Sequence, residues 1–121
     1  MDEPLPCCRI VYRAMARKNW TDRVANRVLP AAYIRRPPPA DEDGLSVDVS
    51  SAASCATALS KCFGVASLHT GRVRDVGLDV VVDHAPHANI VGLPRPEVDR
   101  DRAERFASLL AKQSRLLAVD T

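Results

Sequence analysis

Apolar residues recur along this chain mostly in short alternating runs punctuated by Gly and Pro, and take up the longer spacing of a helix in the middle of the chain and near the C-terminus. The stretch from Cys8 to Arg13 sets Ile10 and Tyr12 against Val11 and Arg13, which predicts a first strand. Thr21 or Asp22 then offers a cap for a short helix carrying Val24 and Val28 at i and i+4, stopped by Pro30. Leu45, Val47 and Val49 alternate with Ser46 and Asp48, so a half-buried strand is expected with Ser46 and Asp48 on its other face. Ser50, Ser51 and Ser54 are candidate N-caps for a helix whose stripe is Cys55, Ala58, Leu59, Cys62 and Phe63, with Gly64 in the C′ position. Val65 to Leu68, Val73 to Leu78, Asp79 to Asp83 and Ala88 to Val91 predict further strands, with Val76, Leu78, Val80 and Val82 on one face.

Pro94 and Pro96 end this region, and Asp101 with Glu104 three residues on forms a capping box for a last helix. Its apolar stripe is Ala103, Phe106, Ala107, Leu110 and Leu117. The expected fold class is α+β: a mostly antiparallel sheet of about five strands with two amphipathic helices, one of them C-terminal. Residues 1–121 are expected to form a single domain, interrupted by an exposed proline-rich loop at 35–44, where three prolines precede an acidic turn.

Composition narrows the classes. At 121 residues, with 46% apolar and 26% charged positions, the chain is globular in character rather than disordered. Pro4 and Pro6 interrupt any secretory apolar segment, and no run reaches the roughly 18 apolar residues of a membrane span, so a cytoplasmic protein is expected. The four cysteines show no CxxC spacing and are expected to be reduced. Cys55 and Cys62, seven residues apart on a helix, would stand about 10 Å apart, beyond the roughly 7 Å limit for a disulfide. Net charge is only +2, yet residues 1 to 36 hold eight Arg or Lys against three Asp or Glu. Such a basic third suits an anionic partner or an internal match to Asp41, Glu42 and Asp43. One Trp, two Tyr and two Phe are too few for a nucleic-acid stacking surface, which places nucleic acid behind other partners.

The densest polar cluster is Asp83, His84, His87 and Asn89, set between two strand runs. Two imidazoles and a carboxylate can ligate a metal, and a histidine can act as an acid or base near neutral pH, so His87 and His84 are the catalytic candidates if the protein is an enzyme. Pro86 forbids a helix that would align positions i and i+3, and the spacing is no recognised zinc pattern, so no metal centre is expected. His69 joins this cluster only if the fold brings the two turns together. Cys7 and Cys8, beside Arg9, are candidate reactive thiols, with an incidental role the simpler reading. Arg13 is a candidate bidentate clamp for phosphate or carboxylate, Trp20 a candidate stacking platform, and Ser46, Asp48 and Asn89 complete the ligand-binding candidates. The sequence contains no P-loop, dinucleotide fingerprint, GxSxG elbow or HExxH, and it specifies no cofactor.

The ordered pieces Val11–Arg13, Ala32–Tyr33, Asp43–Val47, Gly64–Leu68, Val76–Leu78 and His87–Ile90 resemble a small uncharacterised bacterial domain family, a likeness that brings no activity with it. Tyr12 and Arg13 on a first strand, followed by Leu45 to Ser51 running into a helix, are similar in motif order to ADP-ribosyltransferase-like folds. That similarity implies that Arg13 holds NAD phosphates and that Ser46 or Ser50 supports the nicotinamide pocket. The family's late catalytic glutamate has no counterpart at His87 to Gly92. The leading expectation is therefore a noncatalytic binding or interaction module for an anionic small molecule or a partner protein, as a monomer or homodimer. The alternative is a nucleotide- or metal-dependent enzyme of ADP-ribosyltransferase type using Arg13, Ser46 and His87. An enzyme requires those residues to converge on one pocket, whereas a module can leave them apart.

Overall fold

The computed structural model describes residues 3–4, 9–22, 24–35, 44–51, 55, 62–84 and 86–117. In chain order the strands are β1 (Glu3–Pro4), β2 (Ile10–Ala14), β3 (Thr21–Asp22), β4 (Arg27–Val28), β5 (Leu45–Asp48), β6 (Val65–His69), β7 (Asp79–His84), β8 (His87–Val91) and β9 (Arg115–Leu117). Among the described residues the α-helices are α1 (Thr70–Asp75) and α2 (Arg100–Gln113), and short 3-10 turns cover Lys18–Trp20 and Pro30–Tyr33. Seven strands join one sheet in the order β1-β7-β8-β5-β2-β6-β9, and β3 with β4 forms a separate ribbon. Every pairing is antiparallel.

The expected α+β class is the one observed, with somewhat more strands in the sheet than the five or so anticipated. Among the additions is β9, which leaves Leu117 in a sheet rather than on a helical stripe. α2 stops at Gln113 because Ser114 turns extended (φ −69°, ψ 144°) and its hydroxyl donates to the Leu110 carbonyl. The chain then lays Leu117 opposite Val65 on β6.

Alternation explains the strands. Val11, Leu45, Val47, Leu68, Val80 and Ile90 are buried on one face of the sheet, where they meet Met15, Tyr33 and Leu110 in the core. α2 covers that face with Ala103, Ala107, Leu110 and Ala111, at i, i+4, i+7 and i+8, and packs chiefly on the Pro30–Tyr33 turn. Its N-cap is Asp99, whose carboxylate accepts from the Arg102 N–H at 3.1 Å, rather than Asp101. Asp101 lies one turn position inside, where its charge still suits the helix N-terminus.

Two sequence expectations are corrected. Thr21–Asp22 and Arg27–Val28 pair as a β-ribbon where a helix was expected: Asp22 accepts from the Ala25 N–H at 3.1 Å, Asn26 takes the left-handed conformation (φ 53°), and Val24 stays fully exposed. An Asx-type turn satisfied locally outcompetes a single turn of helix with one buried valine. The segment Val73 to Leu78 is likewise the end of α1. Gly77 (φ 98°) donates to the Arg74 carbonyl and Leu78 to Val73, which is a Schellman closure with Val73 and Leu78 both buried.

The helix expected around residues 55–63 falls largely outside the described residues, although Cys55 itself is helical, buried, and bonded through its N–H to the Ser51 carbonyl at 3.0 Å. Positions 36–43 of the proline-rich loop, and Cys7 with Cys8, also lie outside the described residues.

Candidate functional site

β2 and β5 share a single register pair, Tyr12 with Asp48, and beyond it the ladder between them opens. Arg13 closes the opening. Its Nε donates to the Ala32 carbonyl at 2.7 Å and its Nη1 to the Ser46 carbonyl at 2.9 Å. The guanidinium carbon stands 5.2 Å from the Trp20 ring centre and 5.9 Å from that of Tyr33, and the residue is only 7% exposed. Arg13 and Trp20 therefore form one packed group under the core face, with Tyr33 as a third member that the sequence reading missed. Tyr33 in turn shares a hydrogen bond with the Ser114 hydroxyl. Burial pushes the Tyr33 phenol up to about 12, against the smaller lowering effects of Ser114 and the Arg13 charge.

The histidines lie on the other face. Because directly paired residues share a face, the register Tyr12 with Asp48, and Asp48 with His87, puts His87 and Asp48 opposite the side to which Arg13 points. Ser46 pairs with Asn89 on that same polar face, and only its main-chain oxygen meets Arg13. The structure thus gathers His84, His87, Asn89, Ser46 and Asp48 at one end of β5, β7 and β8. It separates them from Arg13 and Trp20.

At the centre of the gathered set stands Asp83. His87 Nδ1 lies 2.7 Å and 2.8 Å from its two oxygens, and Asn89 Nδ2 donates to Oδ2 at 3.2 Å. His84 contributes its backbone N–H at 2.7 Å, and its ring stacks on that of His87 with centres 5.4 Å apart. Desolvation pushes the Asp83 carboxyl up, but the His87 bond, the His84 N–H, the His87 charge and the Asn89 amide together bring it down to about 2. Asp83 is held as a carboxylate. Asn89 is 3% exposed, which makes it a fixed support rather than a surface group.

Local geometry explains how neighbours in sequence come to face one another. In a regular strand Asp83 and His84 would point to opposite faces, but the register slips between Val82 and His84, and this irregularity puts both beside His87. Pro86 does exclude the helix, and what replaces it is a tight hairpin in which His84 and His87 are direct cross-strand partners. The one-letter run DHAPH carried that signal, since a two-residue link between strands makes i and i+3 opposite each other. Its side-chain atoms offer a three-ligand set: one atom each from Asp83, His84 and His87 lies within 4.8 Å of the others.

The other candidates are engaged elsewhere or stand on other strands. Asp48 Oδ1 accepts from the Ser50 N–H at 2.7 Å, the Ser50 hydroxyl at 2.8 Å and the Ser51 N–H at 3.4 Å, which caps the turn after β5. His69, on β6, pairs with Ile10, and β5 and β2 lie between β6 and β8, so it does not join the other histidines. Burial, with the Asp48 charge behind it, pushes the Cys55 thiol up to about 12, and its Sγ donates to the Tyr12 carbonyl. Cys55 is a core thiol. No helix among the described residues is long and apolar enough to cross a membrane. Comparisons with protein-family models, curated proteins and solved structures return no match.

Proposed function

We propose that this domain is a small noncatalytic binding module, and that it engages an anionic group of a small molecule or partner protein at the β7–β8 end of the sheet. The observation that carries the reading is the Asp83 carboxylate, which fixes His87 through Nδ1 and is itself fixed by Asn89. An imidazole anchored in this way keeps Nε2 at its outer edge, and an orientation set before the ligand arrives lowers the ordering cost of binding. His84, with its side chain 81% exposed, supplies a second imidazole at the same edge. The enzyme alternative needs Arg13, Ser46 and His87 in one pocket, and the placement of Arg13 and His87 on opposite faces favours the module.

The test is a 1H–15N correlation titration with methylphosphonate, a stand-in for a phosphomonoester. Shift changes centred on residues 83 to 91 and absent from His87→Ala are expected. Changes centred on Arg13 and Trp20, or none under any condition of the titration, would overturn the reading.

A further inference from the structure

We infer that Asp83, His84 and His87 form a binding site for one divalent transition-metal ion, of which Zn2+ is the representative. This rests on the module reading above and names how the anionic group is held. A bare anion would meet the Asp83 carboxyl group at the centre of this set, where it lies against His87 and near His84. A metal ion bound by Asp83 and the two imidazoles supplies positive charge at that point.

One of the distances fits as it stands. Ligand atoms bound tetrahedrally at about 2.0–2.2 Å stand roughly 3.3–3.5 Å apart. Asp83 Oδ1 is 3.5 Å from His84 Nδ1, the separation of two ligand atoms on one ion, whereas its 2.7 Å contact with His87 Nδ1 is a hydrogen bond, so the His87 ring must shift to ligate. One ligand atom from each of the three residues lies within 4.8 Å of the other two. The strand irregularity between Val82 and His84 is the independent feature that creates the set, since without it His84 would face away.

Chemistry selects the ion. Two nitrogen donors and one oxygen suit Zn2+, Co2+, Ni2+ or Cu2+, whereas Ca2+ and Mg2+ prefer shells made of oxygen. Asn89 donates to Asp83 Oδ2, as outer-shell partners of metal-bound carboxylates do, and makes no such bond to Oδ1. Three protein ligands leave the fourth tetrahedral position open to an anionic oxygen of the ligand.

The experiment uses the full chain, free of any histidine tag, stripped with a chelator and titrated calorimetrically with Zn2+ alone. Co2+ then reports coordination through its visible absorption. One ion per chain is expected, with at least about a tenfold loss of affinity in His84→Ala and in His87→Ala and none in His69→Ala, a histidine away from the site. Amide spectra of each variant establish that it is folded. No Zn2+ binding by the wild type, or binding that His84→Ala and His87→Ala leave intact, overturns the site.

A second arm repeats the methylphosphonate titration with and without Zn2+. Binding that requires the metal supports both readings. Methylphosphonate binding undiminished by chelator and by His84→Ala overturns the metal inference and leaves the module. Stoichiometric Zn2+ uptake with no methylphosphonate response does the reverse.

Discussion

Arg13 shows what a single side chain can do for a sheet that opens. A guanidinium is costly to bury, and here the cost is offset by two carbonyl acceptors and two aromatic faces, those of Trp20 and Tyr33. Truncation in Arg13→Ala removes the donors from the Ala32 and Ser46 carbonyls and leaves a void beside both rings. Hydrogen bonds from charged donors contribute about 1.5–3 kcal/mol each, so a loss of about 3 kcal/mol in unfolding free energy is expected from urea denaturation. Lysine does not restore it, because one ammonium cannot span two carbonyls in the planar fork that arginine provides. A loss below about 1 kcal/mol would show Arg13 to be dispensable for folding and return it to the ligand-binding candidates. The sequence placed Arg13 on a first strand, as observed. Its burial depends on Ala32 and Ser46, 19 and 33 residues away, and no local pattern announces that.

At the scale of elements, β5 and β8 come together because Gly44 lets them. A Cβ built there would lie 2.3 Å from the Ile90 carbonyl oxygen and 3.4 Å from the Asn89 Cβ, and its φ is 133°. Gly77 offers the contrast, since its φ of 98° is also positive but nothing lies within 4 Å of the added carbon. Gly77→Ala is therefore expected to cost only the conformational term, about 1–2 kcal/mol, at the end of α1. Gly44→Ala adds a clash with backbone and should cost more, about 3 kcal/mol or above, while pushing β8 and its Asn89 away from Asp83. Thermal denaturation compares the two directly, and equal losses would show that the close approach of β5 to β8 carries no energetic weight. Sequence reasoning read these glycines as punctuation between strands. It could not distinguish a glycine demanded by its own φ from one demanded by a neighbouring strand.

For the whole molecule, pH reads the balance between the polar face and the core. The Asp83 carboxyl falls from its ordinary 3.8 to about 2 in the folded state, through the net effect of His87, His84 and Asn89 over desolvation. As pH falls, the unfolded chain takes up this proton first, so the contribution is whole above 3.8 and lost as pH approaches about 2. Tyr33 behaves in the opposite sense: its phenol rises from 10.0 to about 12 by burial, so its contribution is whole below pH 10.0 and lost toward 12. Cys55, raised by burial from 9.0 to about 12, adds to the same alkaline limb. Urea unfolding followed across pH should show Asp83→Asn flattening the acid limb and Tyr33→Phe reducing the alkaline one. An acid limb unchanged in Asp83→Asn would mean that Asp83 is not bonded to His87 in solution. Much of the fold was legible in advance: the strands at Ile10–Ala14, Leu45–Asp48, Val65–His69, Asp79–His84 and His87–Val91, and the C-terminal helix, all follow from alternation and stripe. Those signals belong to consecutive residues, because period and propensity are local properties. Which strand lies beside which, the irregularity that turns Asp83 and His84 to one side, the pairing of β9 with β6, and the burial of Arg13 were decided only in the tertiary structure. Each depends on contacts between distant residues or on one extra residue in a ladder, and the linear order of side chains does not record either.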